Sequence, residues 1–87
     1  MIGMNKKQKK TLDKIFQTPE RSDIPWSNIE SLVISLGGEI TEGRSSRVRI
    51  YLNGIRAVFH RPHPQKETRK SAIKSVRRFL KEAGVKR

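Results

Sequence analysis

The dipeptide Asn53-Gly54 constrains this chain more than any other feature of it. On one side Val48, Ile50 and Leu52 alternate with Arg47, Arg49 and Tyr51; on the other Ile55, Ala57 and Phe59 alternate with Arg56, Val58 and His60. A period of two marks a strand with one buried and one wet face. Asn-Gly between two such runs is the strongest short-range hairpin signal. A two-residue loop also sets the register: Leu52 faces Ile55, Ile50 faces Ala57 and Val48 faces Phe59, so the core side holds no polar group. On the outer face Tyr51 meets Arg56, Arg49 meets Val58 and Arg47 meets His60, with cross-strand partners about 5 Å apart. Three arginines, a tyrosine and a histidine therefore share one surface.

The remaining elements are arranged around this hairpin. Met1 to Gln8 is lysine-rich and aperiodic, as an irregular arm would be, and from Lys9 onward Leu12, Ile15 and Phe16 recur at helical spacing until Pro19. Such a short helix needs a larger body to dock on. Asp23, Pro25 and Trp26 announce a second helix; Ser27 and Glu30 have the spacing of a capping box, Ile29, Leu32, Val33 and Leu36 form its apolar stripe, and Gly37-Gly38 ends it. Trp26 reads as a core residue. Glu39 to Glu42 reads as a short strand with Ile40 inward, and Gly43 to Ser46 as a polar connection. Arg61 to Gln65 holds two prolines around His63 and is irregular. Thr68 or Ser71 then caps a last helix with Ala72, Ile73, Val76, Phe79, Leu80 and Ala83 inward, Lys70, Lys74, Arg77, Arg78 and Lys81 outward, and Gly84 at its end. The expected fold is α+β: helix, three antiparallel strands and helix, with the helices on one face of the sheet and a short extra helix in front. Residues 1–22 form the basic arm and short helix, and residues 23–87 the domain that presents the surface.

Composition narrows the chemistry. The 87 residues carry 20 Lys and Arg against 8 Asp and Glu, a formal +12, with no cysteine and two histidines. Disulfide scaffolds and thiolate metal sites are excluded, and two histidines are too few for an all-histidine zinc centre. No metal or cofactor is expected. No apolar run approaches a membrane span and the N-terminus has no secretory signal pattern, so a cytoplasmic location is expected. Basic and acidic groups cancel over residues 1–43, whereas residues 44–87 hold fourteen basic groups and only Glu67 and Glu82 as acids. So large an excess exceeds what solubility needs and points to a polyanionic partner, RNA first.

RNA can be cut without a metal when a base takes the 2′-hydroxyl proton, the oxygen attacks the adjacent phosphate and cations stabilise the developing charge. Histidine, which ordinarily titrates near pH 6.5, suits the first role. His60 and His63 are the two candidates; either could instead hold the fold locally. Arg47, Arg49, Arg56 and Arg61 match phosphate oxygens, Lys66 adds a charge, Tyr51 can stack on a base, and Ser45 and Ser46 offer hydroxyls and turn amides. No HExxH, Gly-rich lysine loop or paired-carboxylate site is present.

The run from Trp26 to Val85 resembles the HicA toxin family, the RNA-cleaving partners of toxin-antitoxin systems. The resemblance rests on the Ile29 to Gly38 helix and glycine pair, the Ser45-Ser46-Arg47 strand entry, His63 with Lys66-Glu67 behind it, and the Ser71 to Gly84 helix ending in Lys81-Glu82-Ala83-Gly84-Val85. It implies a fold like that of double-stranded-RNA-binding domains and an endoribonuclease, an mRNA interferase, that leaves a 2′,3′-cyclic phosphate. It also implies a HicB-like antitoxin that covers the site. The family's strand entry reads Gly-Ser-His with a catalytic histidine, and here Arg47 stands in that position. A permanently charged guanidinium can bind phosphate but cannot act as the base, whereas His60, directly across the hairpin, can supply an imidazole to nearly the same point. The alternatives are a non-catalytic RNA-binding module of this fold, and a regulatory protein whose basic surface binds an acidic partner.

Overall fold

The computed structural model describes residues 4–18, 23–44, 46–61 and 67–86. In chain order the elements are α1 (Lys6–Phe16), α2 (Trp26–Ser35), β1 (Glu39–Glu42), β2 (Arg47–Leu52), β3 (Ile55–His60) and α3 (Lys70–Glu82). This is the expected order of helix, three antiparallel strands and helix, with an additional helix in front.

The hairpin forms as its turn dictates. Asn53 at φ 51° and Gly54 at φ 83° occupy the two left-handed positions of a type I′ loop. All six β2–β3 pairs fall in the expected register, from Leu52 opposite Ile55 to Arg47 opposite His60. Asn53 also donates from Nδ2 to the Ala83 carbonyl at 2.8 Å, fastening the hairpin tip to the end of α3. β1 lies along the other edge of β2, with Glu39 opposite Tyr51 and Thr41 opposite Arg49, so the sheet order is β1-β2-β3.

The helices cover the inward face. Val48, Ile50, Leu52 and Phe59 from the sheet pack with Ile29, Leu32 and Val33 of α2 and Ile73, Val76, Phe79 and Leu80 of α3 in one core. Trp26 is buried there too, its ring centroid 5.7 Å from Phe59, which meets Phe79 edge-on at 6.3 Å. α1 contributes Leu12 and Ile15, both fully buried in the same cluster.

α2 starts at Trp26, as Pro25 and Trp26 announce, but the helix caps differ from expectation. α1 begins at Lys6, inside the stretch read as an arm: Asn5 accepts from the Gln8 N–H at 2.8 Å and Gln8 returns a bond to the Asn5 N–H at 2.9 Å, a reciprocal capping box. In α2 the cap is Pro25, with no side-chain capping bond, so Ser27 and Glu30 do not form the expected box. Glu30 instead accepts from the Trp26 indole at 2.8 Å and from Arg61. In α3 neither Thr68 nor Ser71 caps; Arg69 is the cap residue, without a side-chain capping bond, and the Thr68 hydroxyl is buried without a partner among the described residues. The Thr68 N–H pairs with the Ile24 carbonyl at 2.9 Å, which joins this segment to the entry of α2 rather than to its own helix. Nor is Arg77 a purely outward charge. It is half-buried and donates from Nε and Nη2 to the carbonyls of Ile15 and Gln17, both at 2.9 Å, satisfying the open C-terminus of α1.

Candidate nucleic-acid interface

The outer face of the sheet gathers the residues that the alternation assigns to it. Arg47, Arg49 and Tyr51 of β2 and Arg56, Val58 and His60 of β3 are all exposed, while every β2 neighbour between them is buried. Arg47 and His60 are direct cross-strand partners, which brings a guanidinium and an imidazole to one end of the hairpin. Toward the other end Arg56 lies over the Tyr51 ring, its guanidinium carbon 5.6 Å from the centroid, a spacing at which cation and ring attract. Arginine and tyrosine are thus held together on the exposed face, an arrangement suited to phosphates and bases alike.

β1 widens this surface with two residues the sequence reading did not assign to it, Glu39 and Thr41. Together with Arg49, Tyr51, Arg56 and Val58 they line a shallow depression of about 520 Å³. Glu39 is an acid on an otherwise basic face, opposite Tyr51. The signal was the alternation of Glu39 and Thr41 with the inward Ile40, too short in a four-residue strand to fix a register without knowing how the connection folds. That connection closes with the Gly43 N–H on the Arg47 carbonyl at 2.8 Å.

Arg61 is engaged differently from the other arginines. Its Nη1 donates to Glu42 at 2.7 Å, and its Nε and Nη2 donate to Glu30 at 3.2 and 2.8 Å. Its guanidinium is held even more firmly protonated than usual, first by the bond to Glu42 and then by that to Glu30. Three of its donor directions are spent inside the protein. The Arg61 N–H also donates to the Ser46 carbonyl at 2.6 Å, so the end of β3 and the start of β2 are tied immediately beside the Arg47–His60 pair. Ser46 itself is exposed at this corner. Ser45, His63 and Lys66 lie outside the described residues.

His60 borders a second hollow. A groove of about 640 Å³ runs between β3 and the first half of α3, lined by Phe59, His60, Arg61, Thr68, Arg69 and Ser71 among others. His60 therefore stands at the edge between the outer sheet face and this groove, open on two sides. Among the described residues no group of three His, Cys, Asp or Glu side chains gathers in a way that could hold a metal ion, and no described helix is long and apolar enough to cross a membrane.

No curated protein and no solved structure matches the chain. The family model described as the HicA toxin of bacterial toxin-antitoxin systems matches residues 26–85, from the buried Trp26 at the start of α2 to Val85 just past α3. That span takes in the whole sheet, both helices that cover it and the Arg47–His60 corner, more than two thirds of the 87 residues, and on this ground the chain belongs to the HicA toxin family.

Proposed function

We propose that this protein is the toxin of a toxin-antitoxin pair, acting in the cytoplasm, and that it binds mRNA on the outer face of its sheet and cuts it without a metal. The observation that carries this reading is the pairing of Arg47 with His60. Where the family has a histidine this chain has an arginine, and the one imidazole among the described residues stands directly across from it. In this mechanism neutral His60 takes the proton from a 2′-hydroxyl, and the oxygen attacks the adjacent phosphorus. The bond to the 5′-oxygen of the next nucleotide then breaks, leaving a 2′,3′-cyclic phosphate and a 5′-hydroxyl. Arg47 supports the charge that builds on the phosphoryl oxygens. His63 is the second candidate for proton transfer, to the leaving oxygen. Arg49 and Arg56 hold flanking phosphates, Tyr51 stacks on a base, and Ser45, Ser46 and Lys66 add polar contacts to the RNA. Arg61, already paired, serves in this reading to position its neighbour His60.

A HicB-like antitoxin is the expected protein partner. It would cover the same face, where Tyr51 and Val58 offer exposed apolar surface between the arginines. The presence of Arg47 at the family's histidine position favours one second reading, a non-catalytic RNA-binding module with the same surface.

Single-stranded RNA incubated with the protein in EDTA separates the two. Cleavage to cyclic-phosphate ends, reduced at least about 100-fold in His60→Ala with folding and RNA retention unchanged, is the expected outcome, general-base removal being worth about 10²–10⁴ in rate. Retention of RNA by the wild type with no product would leave the binding module. Undiminished cleavage in His60→Ala would exclude His60 as the base.

A further inference from the structure

The charge of this molecule is sorted by element in a way the linear sequence conceals. α1 holds five lysines and one aspartate, and α3 holds five basic residues and one glutamate, a formal +4 each. The two helices therefore account for two thirds of the net +12. α2, the third helix, has Glu30 as its only charged residue, and β1 carries two glutamates and no base. The apparent neutrality of the first half arises because all of its lysines belong to α1, whereas five of its six acids lie outside that helix.

α1 and α3 are neighbours. Arg77 of α3 bonds the last carbonyls of α1, and their apolar faces meet in the common core. Lys6 and Lys10 are one helical step of four apart on α1, and Lys70, Lys74 and Lys81 recur at four and seven on α3. Residues at these spacings share one side of a helix, with steps of four about 6 Å apart along its axis. All five of these lysines are exposed. They lie on the helical side of the fold, away from the face that carries Arg47, Arg49 and Arg56.

The two basic surfaces differ in kind. The sheet face uses arginine with Tyr51 and Val58 exposed between, whereas none of the large apolar side chains exposed among the described residues lies in α1 or α3. Protein interfaces have an apolar or aromatic centre and are depleted in lysine. A lysine-rich surface without apolar anchors suits a phosphate backbone, to which lysine presents a mobile point charge with no base readout. α1 also lies outside the residues matched by the family.

We propose that α1 and α3 form a second RNA-binding surface that grips the phosphate backbone without reading sequence, while the sheet face contacts the stretch to be cut. The inference rests on the RNA reading of the sheet face. Its test compares two variants with the same net charge: Lys10→Gln with Lys70→Gln, which removes one charge from each helix, and Ser27→Glu with Ile34→Glu, which adds two acids to exposed positions of α2. Binding of a labelled hairpin RNA is measured between about 50 and 200 mM salt, with melting curves to show that each variant folds. The lysine pair is expected to reduce the slope of log affinity against log salt by about 1.5, and to weaken binding roughly tenfold or more at the low-salt end. The α2 pair is expected to leave the slope unchanged. Equal effects from both variants would reduce the matter to net charge and overturn the proposal. Unchanged RNA binding in the lysine variant would overturn it too, and a parallel loss of antitoxin affinity would give the surface to a protein partner. If Arg49→Gln with Arg56→Gln weakens binding while the lysine pair does not, the sheet-face reading survives and only this inference fails. Wild-type protein that holds no RNA removes both.

Discussion

Arg61 and Glu30 carry more of the site's geometry than their positions in the sequence suggest. One Glu30 oxygen receives the Trp26 indole N–H and two Arg61 donors, and it does so partly sheltered, at 22 % side-chain exposure against 71 % for Glu42. Glu42 has the greater hold on the Arg61 proton, yet its own exposure means that solvent takes over much of that bond when it is lost, as for most surface pairs. The stability order is therefore the reverse of the order of proton affinity. Glu30→Ala leaves an indole N–H and a guanidinium without their acceptor and is expected to cost about 2 kcal/mol. Glu42→Ala is expected to cost less than about 1 kcal/mol. Chemical denaturation of both variants checks this; equal losses would show that the shelter of Glu30 contributes nothing. Because Arg61 follows His60 directly, Glu30→Ala is also the variant whose RNA cleavage should fall while the arginine face itself remains intact.

At the scale of the element, close approach decides where β1 and β2 sit. A Cβ on Gly38 would come within 2.6 Å of a Val33 methyl, 2.9 Å of the Tyr51 carbonyl and 3.0 Å of the Val33 carbonyl. Two of these atoms are backbone and cannot swing aside. Gly38→Ala is accordingly expected to destabilise by about 1–3 kcal/mol and to move Tyr51, so that melting temperature and RNA affinity fall together. A loss of stability with unchanged affinity would mean that the strand absorbs the shift without moving the face. The elements themselves were legible in the sequence to different degrees. The β2–β3 register followed from Asn53-Gly54 because a type I′ turn admits one pairing. Likewise the stripes of α2 and α3 followed from helical periodicity, because burial of one face enforces it. The helix caps were not legible, although Pro25 and Trp26 did mark the start of α2, for a physical reason: a capping side chain is a local choice that a distant partner can override. Glu30 has the spacing to cap its own helix, but its carboxylate is taken by Trp26 and by Arg61, thirty-one residues on. Only at α1 did the local box form, because the distant partner of Gln8, the Ser31 hydroxyl, takes its Nε2 and leaves Oε1 for the Asn5 N–H, and that signal stood in a stretch whose lysines made it look irregular.

For the whole molecule the decisive point is that α1 belongs to the body of the protein, although it precedes the part shared with the family. Charge alone reads the N-terminal stretch as a basic arm appended to a domain. Packing reads it otherwise, since Leu12 and Ile15 are 2 % and 0 % exposed within the core shared by sheet and helices, and Arg77 closes the end of α1 from α3. A domain of this size has only about 5–10 kcal/mol of stability in all, and truncating a fully buried isoleucine costs about 2–5 kcal/mol. Ile15→Ala is therefore expected to lower the unfolding free energy by a large fraction of the total, in a single transition that includes the tryptophan signal of Trp26. Ile34→Ala, at a residue of α2 that is 60 % exposed, is expected to change it by less than about 0.5 kcal/mol. Should Ile15→Ala behave like Ile34→Ala, α1 would be an appendage whose lysines could be lost without consequence for the fold. If it behaves as a core residue, the lysines of α1 are held in fixed position beside those of α3, and the positive charge of the helical layer becomes a shaped surface, because the same apolar contacts that stabilise the fold set the spacing of the charges outside it.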